Sequence, residues 1–176
     1  NGFAIDQQFG HIRIISLGTH DKDYMKRVAK KFPKNLLNSP FKIDYKIKVP
    51  QYCDLDINSG KGDLKLLNVE GAMQIKVFEG NASLNLIGGT IIGTFGSGNV
   101  DVKINARSWR GRQAVFQVAT GTLNVQFPQN MNAEVDATVL RSGKIENSLT
   151  TLKPRDRSKF SEKTMLAKAG NGGALL

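Results

Sequence analysis

Three aspartates near the middle of the chain have the residue type and spacing that could support glycoside cleavage. Asp54 and Asp56 alternate with Leu55 on one predicted strand, which places their carboxylates on the same face, about 7 Å apart. Asp63 follows shortly after them. Glycoside hydrolysis generally needs two carboxyl groups flanking the scissile bond. In the alternative interpretation these aspartates are solvated residues that face away from the core. The sequence favours this alternative and predicts no catalytic residue and no enzyme.

A second group of candidate residues lies in the loop 107–112, where three arginines surround the only tryptophan. Trp109 could stack on a sugar ring or a base, while Arg107, Arg110 and Arg112 pair with phosphate, sulfate or carboxylate. In the alternative interpretation Trp109 caps the end or side of the fold and the arginines are solvated. We predict these four residues as the contact for an anionic glycan or a lipid headgroup.

Metal and thiol chemistry have little support in the composition. The chain has one cysteine, Cys53, and two histidines, His11 and His20. A single cysteine excludes an intramolecular disulfide and a thiolate metal cage, and no third ligand stands at metal spacing from the histidines. The sequence therefore predicts no metal site and no cofactor.

A glycine repeat predicts the architecture that must position these residues. Between successive glycines the chain reads Gly-x-apolar-x-apolar-x-apolar, which is typical of a strand with one buried face. Glycine also supplies a positive-φ corner between strands, and a short self-similar period indicates stacked repeats. We predict an all-β, single-chain β-solenoid, similar to a right-handed β-helix, built of about nine-residue half-coils. Its corners are Gly62, Gly71, Gly80, Gly89 and Gly98.

The predicted domain is one unit over residues 1–176. It comprises N-terminal strands and a helix cap (1–40), a repeat core (41–146), and a polar loop with the last strands (147–176). The cap contains two short strands around Gly10 and one amphipathic helix over 21–32, with Tyr24, Val28 and Phe32 on one stripe. The predicted interior consists of Leu64, Leu66, Met73, Ile75, Val77, Leu84, Leu86, Ile91, Phe95, Val100, Val102 and Ile104.

The charge distribution limits the partners that the chain can have. The net charge is +10, of which residues 1–50 and 107–176 each carry +6 while residues 51–106 carry −2. A nearly neutral repeat core argues against a nucleic-acid track along the repeats, and we predict no specific nucleic-acid partner. The basic flanks leave a local contact with a polyanion open. No apolar run approaches the roughly 20 residues of a transmembrane helix.

Several short motifs follow one another over residues 40–176. They are Tyr45-Lys-Ile-Lys-Val-Pro50, Leu55-x-Ile57, Asn58-Ser-Gly60, Gly62-Asp-Leu-Lys-Leu66, Phe127-Pro128, Ala133-x-Val135, Ser142-Gly143-Lys-Ile145 and Gly170-Asn-Gly-Gly173. Their order resembles the bacterial putative-adhesin family of unknown function, in which a Val-Pro strand end precedes tandem half-coils of the form Gly-Asp-Ile-x-Ile. The family is similar to cell-surface β-solenoid proteins, which implies an envelope location and no catalytic role. The predicted helix at 21–32 and the loop 107–112 depart from the family pattern, so its surface chemistry is not carried over.

These observations predict a non-catalytic, adhesin-like scaffold module of the cell envelope, located outside the cytoplasm. Its predicted partner is an anionic glycan or an envelope protein, with self-association through an end of the solenoid as a further expectation. Two alternatives stay open at this point. One is a carbohydrate-active β-helix enzyme, and the other is a cytoplasmic, self-assembling scaffold similar to bactofilins.

Overall fold

The computed structural model describes residues 3–16, 44–105, 109–155 and 157–176, and every regular element in these ranges is a β-strand. The chain divides into two compact units, residues 1–48 and 49–176. The strands are β1 (Phe3–Gln8), β2 (His11–Ser16), β3 (Leu55–Lys61), β4 (Leu64–Glu79), β5 (Ala82–Ile104), β6 (Ala114–Gln126), β7 (Ala133–Thr138), β8 (Lys153–Pro154), β9 (Thr164–Ala169) and β10 (Ala174–Leu175).

In the first unit, β1 and β2 form an antiparallel hairpin in which Gln8 pairs with His11. The two turn residues, Phe9 and Gly10, have positive φ angles of 49° and 79°. Two-residue turns of this kind match the right-handed twist of the flanking strands. The prediction of two short strands around Gly10 is confirmed.

The second unit contains a parallel sheet in the order β3-β4-β5-β6. Leu64 pairs with Ala82 between β4 and β5, and Gly98 pairs with Gly121 between β5 and β6. Residues on neighbouring strands are offset by 18 positions at Asn81 and by 23 positions at Asn124. In most of the sheet, a residue and its partner on the next strand are therefore two nine-residue units apart in sequence.

The repeated glycines stack on one another across this sheet. A Cβ atom added to Gly80 would overlap the carbonyl oxygen of Gly62, and one added to Gly98 would overlap that of Gly80. Gly80 and Gly98 also have φ angles of 152° and 134°, where L-residues are strained. Both space and backbone conformation therefore require glycine here. One column consists of Gly62, Gly80, Gly98 and Gly121, and the other of Gly71, Gly89 and Gly111.

The core of the second unit lies on the inner face of the parallel sheet. Ile75 and Leu86 are 0 % exposed and Phe95 is 1 % exposed. All the predicted interior residues are buried except Leu64, which is partly buried against the same cluster. Alternation with a period of two identifies the inward face of a strand directly, and the predicted interior is confirmed.

A second sheet of this unit has the order β10-β7-β9-β8. β9 runs antiparallel to β7 and β8, whereas β10 runs parallel to β7. Met131 and Ala133 are fully buried and belong to the core of the parallel sheet. A smaller core of Leu152, Met165, Ala167 and Ala169 lies under the second sheet.

The predicted β-solenoid is wrong for this chain, because its sheets are separate. Parallel pairing spans Leu55–Gln126, and the other sheets are an antiparallel hairpin and a small mixed sheet. The Gly-x-apolar phrase ends at Phe127-Pro128, and proline has no N–H with which to continue a ladder. Beyond Pro128, β7 finds its partner in the later strand β9 instead of stacking on β6.

Two further predictions concern a helix and the division of the chain into segments. The amphipathic helix predicted at 21–32 lies outside the described residues, and the described ranges contain no helix. Among these ranges there is accordingly no helix with the length and apolarity needed to cross a membrane. The single-domain division at residues 40 and 146 stays a prediction.

Candidate functional site

Two of the three aspartates considered as candidate catalytic groups, Asp54 and Asp63, accept hydrogen bonds from backbone N–H groups further along the chain. Ala72 N–H donates to Asp54 Oδ1 at 2.7 Å, and Asn81 N–H donates to Asp63 Oδ1 at 2.8 Å. Asp56 is exposed on β3. Asp54 and Asp63 each satisfy a backbone donor beside a glycine corner, so their geometry indicates a structural role.

The buried side chain of Trp109 anchors its loop to the glycine column. Trp109 is only 6 % exposed, and its Nε1–H donates to the carbonyl oxygen of Gly89 at 2.9 Å. Gly89 N–H in turn donates to the carbonyl oxygen of Arg110 at 2.6 Å. The indole ring is therefore part of the core, and it positions the arginines that follow it. Arg107 lies outside the described residues.

Arg110 forms an ion pair that spans an intervening strand. Its Nη2 lies 2.8 Å from Glu70 Oε2, and the two residues are aligned on either side of Gly88. A Cβ atom on Gly88 would lie 3.0 Å from Glu70 Cδ and 2.7 Å from Arg110 O. Glycine at position 88 thus leaves the space through which the two side chains meet. The Arg110 side chain is 60 % exposed even in this ion pair.

An open groove of about 520 Å³ lies beside this ion pair. Its floor is the glycine column of Gly71, Gly89 and Gly111, where the missing side chains expose the backbone. The other lining residues are Tyr52, Cys53, Asp54, Glu70, Ala72 and Thr90. Gly111 lines one end of the groove, and its chain neighbours Arg110 and Arg112 lie outside the lining. Arg112 is exposed and has no ion-pair partner among the described residues.

Cys53 lies at the acidic end of the groove and is partly buried. Its Sγ–H donates to the carbonyl oxygen of Pro50 at 3.2 Å. Burial raises the pKa of the Cys53 thiol, and the neighbouring Asp54 carboxylate raises it further. Both effects favour the neutral thiol, which is the unreactive form.

We expect iodoacetamide to alkylate Cys53 more slowly in the folded chain than in urea. The raised pKa of the folded Cys53 thiol contributes to the free energy of unfolding at pH values below the ordinary thiol pKa. This contribution is lost as the pH rises through the pKa of the folded thiol. Rates at a fixed, mildly alkaline pH can be followed by mass spectrometry. Asp54→Asn keeps an oxygen for Ala72 N–H but removes the charge, so it should accelerate alkylation of the folded chain. Equal rates in the folded and unfolded chains would contradict this prediction.

Within the described residues, the other basic cluster and His11 form no second candidate site. In the run 153–159, Arg155 bonds to Glu134 and, through Nη2, to Asp136 at 2.9 Å, which ties it to β7. His11 is exposed on β2, and His20 lies outside the described residues. No group of three or more histidine, cysteine or acidic side chains that could hold a metal ion occurs in the described part of the chain.

No family model, curated protein or solved structure matches this chain. The resemblance to the bacterial putative-adhesin family therefore stays a prediction. The ligands that the groove can bind depend on the residues around it.

Sequence reasoning missed four residues of the groove: Tyr52, Glu70, Ala72 and Thr90. Tyr52 is 64 % exposed and forms a bridge with Glu70, which pairs with Gly88 on the next strand. The spacing from Tyr52 to Glu70 to Gly88 equals the pairing offset of the sheet. The repeat period of the sequence could therefore have predicted that these three residues are aligned.

Proposed function

We propose that this chain is a non-catalytic binding module that engages an anionic polymer or an acidic partner at the groove. The observation that carries the proposal is the placement of Arg110 and Arg112. Both side chains are exposed, on a loop that Trp109 and Gly89 fix to the sheet. Rigid placement lowers the ordering cost of binding an anion. The backbone bonds of Asp54 and Asp63 support the non-catalytic assignment.

The test compares Arg112→Gln with wild type on immobilised heparin. Arg112 is exposed and has no ion-pair partner among the described residues, so its removal should leave the fold unchanged. We expect elution at lower salt, with the slope of log affinity against log salt reduced by about one. Lys103→Gln removes the same charge from an exposed position on β5 and should elute close to wild type. An equal effect of both variants would show that only net charge matters and would overturn the proposal.

The location outside the cytoplasm is part of this proposal. An adhesin-like module must reach its polymer or partner at the cell surface or in the periplasm. Fractionation of the source cells, with detection of the full-length gene product, tests the location. Recovery in the cytoplasmic fraction would contradict it.

Self-association through β3 is a second candidate, because β3 ends the order of the parallel sheet. Leu55 and Ile57 on this strand are only partly buried, and Tyr52 before it is exposed. Edge strands with accessible apolar residues are available for pairing with another chain. Sedimentation velocity should show an average mass that rises with concentration. A constant monomer mass over the accessible range would reject self-association.

A further inference from the structure

The groove has two banks with different chemistry. The first bank is the aligned row of Tyr52, Glu70, Gly88 and Arg110, which crosses the strands from one edge of the sheet to the other. The second bank includes Asp54, Ala72 and Thr90, where Ala72 N–H bonds to Asp54 and Ala72 pairs with Thr90. The first bank spans three inter-strand distances of about 4.8 Å each, or about 14 Å in total.

The two ends of the groove differ in charge. Tyr52 and Asp54 line the groove at the β3 end, and Arg112 follows Gly111 at the β6 end. Glu70 and Arg110 form an ion pair between these ends, so their charges offset each other. A uniformly charged polyanion would meet repulsion from Asp54 at the first end, because like charges at short range are unfavourable. A ligand that fits the whole groove is therefore uncharged at the tyrosine end and anionic at the arginine end.

The groups at the β3 end suit a sugar. Tyr52 exposes most of its ring at the mouth of the groove, and an aromatic face can pack against the apolar face of a pyranose. Carboxylate and hydroxyl oxygens of Asp54 and Thr90 can accept hydrogen bonds from sugar hydroxyls. Arg112 at the other end suits a carboxylate or a sulfate.

We propose that this groove binds a segment of acidic polysaccharide in which neutral and acidic sugars alternate. The neutral sugar packs on Tyr52, and the acidic sugar reaches Arg112, which has no ion-pair partner among the described residues. The glycine floor permits close approach because Gly71 and Gly89 present no side chains. This inference rests on the proposed function and specifies its ligand class and its orientation.

The experiment measures binding of hyaluronan oligosaccharides, which alternate a neutral and an acidic sugar, and of polyphosphate of similar charge. Tyr52→Ala should weaken hyaluronan binding about tenfold and leave polyphosphate binding unchanged. Arg112→Gln should weaken binding of both ligands. Phe78→Ala removes an exposed aromatic residue elsewhere on the same sheet and should change neither.

A second variant blocks the groove without removing a contact. Ala72 is exposed and lines the groove, so Ala72→Phe should fill it and reduce hyaluronan binding at least as much as Tyr52→Ala. Far-UV circular dichroism and a urea midpoint equal to that of wild type show that each variant is folded. Normal hyaluronan binding by Ala72→Phe would overturn the assignment of this groove.

The outcomes separate this inference from the proposed function. If Arg112→Gln weakens both ligands but Tyr52→Ala weakens neither, the module binds anions and the polysaccharide assignment is wrong. Tighter binding of polyphosphate than of hyaluronan leads to the same conclusion. If wild type binds neither ligand and is not retained on heparin, the proposed function fails and the inference fails with it.

Discussion

Gly98→Ala is expected to lower the free energy of unfolding of the second unit by about 3 kcal/mol or more. An alanine at this position would adopt a φ angle of 134°, and its Cβ would overlap the carbonyl oxygen of Gly80. The neighbouring group is backbone within a paired strand, so it cannot move aside as a flexible side chain would. Urea denaturation measures the effect as a lower midpoint with an unchanged slope.

Gly60→Ala is the matched control for this prediction. Gly60 lies on β3 of the same sheet, has no positive φ angle, and has open space where a Cβ would stand. We expect a change within about 0.5 kcal/mol. A similar loss of stability in both variants would show that the close backbone approach at Gly98 is not the cause.

Phe95→Ala is expected to destabilise the same unit by about 3–5 kcal/mol, because it leaves a cavity in a closely packed core. Phe95 is 1 % exposed and is among the largest fully buried side chains. It pairs with Val77 on β4, so the cavity would lie at the centre of the parallel sheet. The urea midpoint and the thermal midpoint should fall together.

Phe78→Ala provides the comparison, since Phe78 follows Val77 on β4 and is 68 % exposed. Its removal should change the unfolding free energy by less than about 0.5 kcal/mol. If the two phenylalanine variants had equal effects, the assignment of inward and outward faces on β4 and β5 would be wrong.

The inward face of the parallel sheet could be predicted from sequence because it depends only on local alternation. Val100 and Val102 alternate with Asp101 and Lys103, and the valines are buried as expected. The direction of pairing and the identity of the partner do not follow from the same pattern. Ala133 and Val135 also alternate with polar residues, yet β7 pairs antiparallel with β9. Alternation specifies a face, whereas pairing depends on turns and contacts distant in sequence.

The candidate site was predicted only in part for a similar reason. The loop 107–112 was identified from its composition, but composition does not distinguish a tryptophan that contacts a ligand from one that anchors a loop. The buried indole of Trp109 and its bond to Gly89 decide this point. Tyr52 and Glu70 were missed because each is unremarkable alone. Only the alignment of successive strands places them in one row with Arg110, which Glu70 contacts.

The change in strand offset between β4–β5 and β5–β6 has a consequence for engineering. Additional residues enter between Ile104 and Ala114, yet Ile91 pairs with Ala114 and Gly98 still meets Gly121. At Ile91, β5 therefore pairs with both β4 and β6 although the two offsets differ. A short peptide tag placed directly after Asn105 should therefore be displayed while the strands keep their partners. The same tag between Gly71 and Gly80 would shift every later pair.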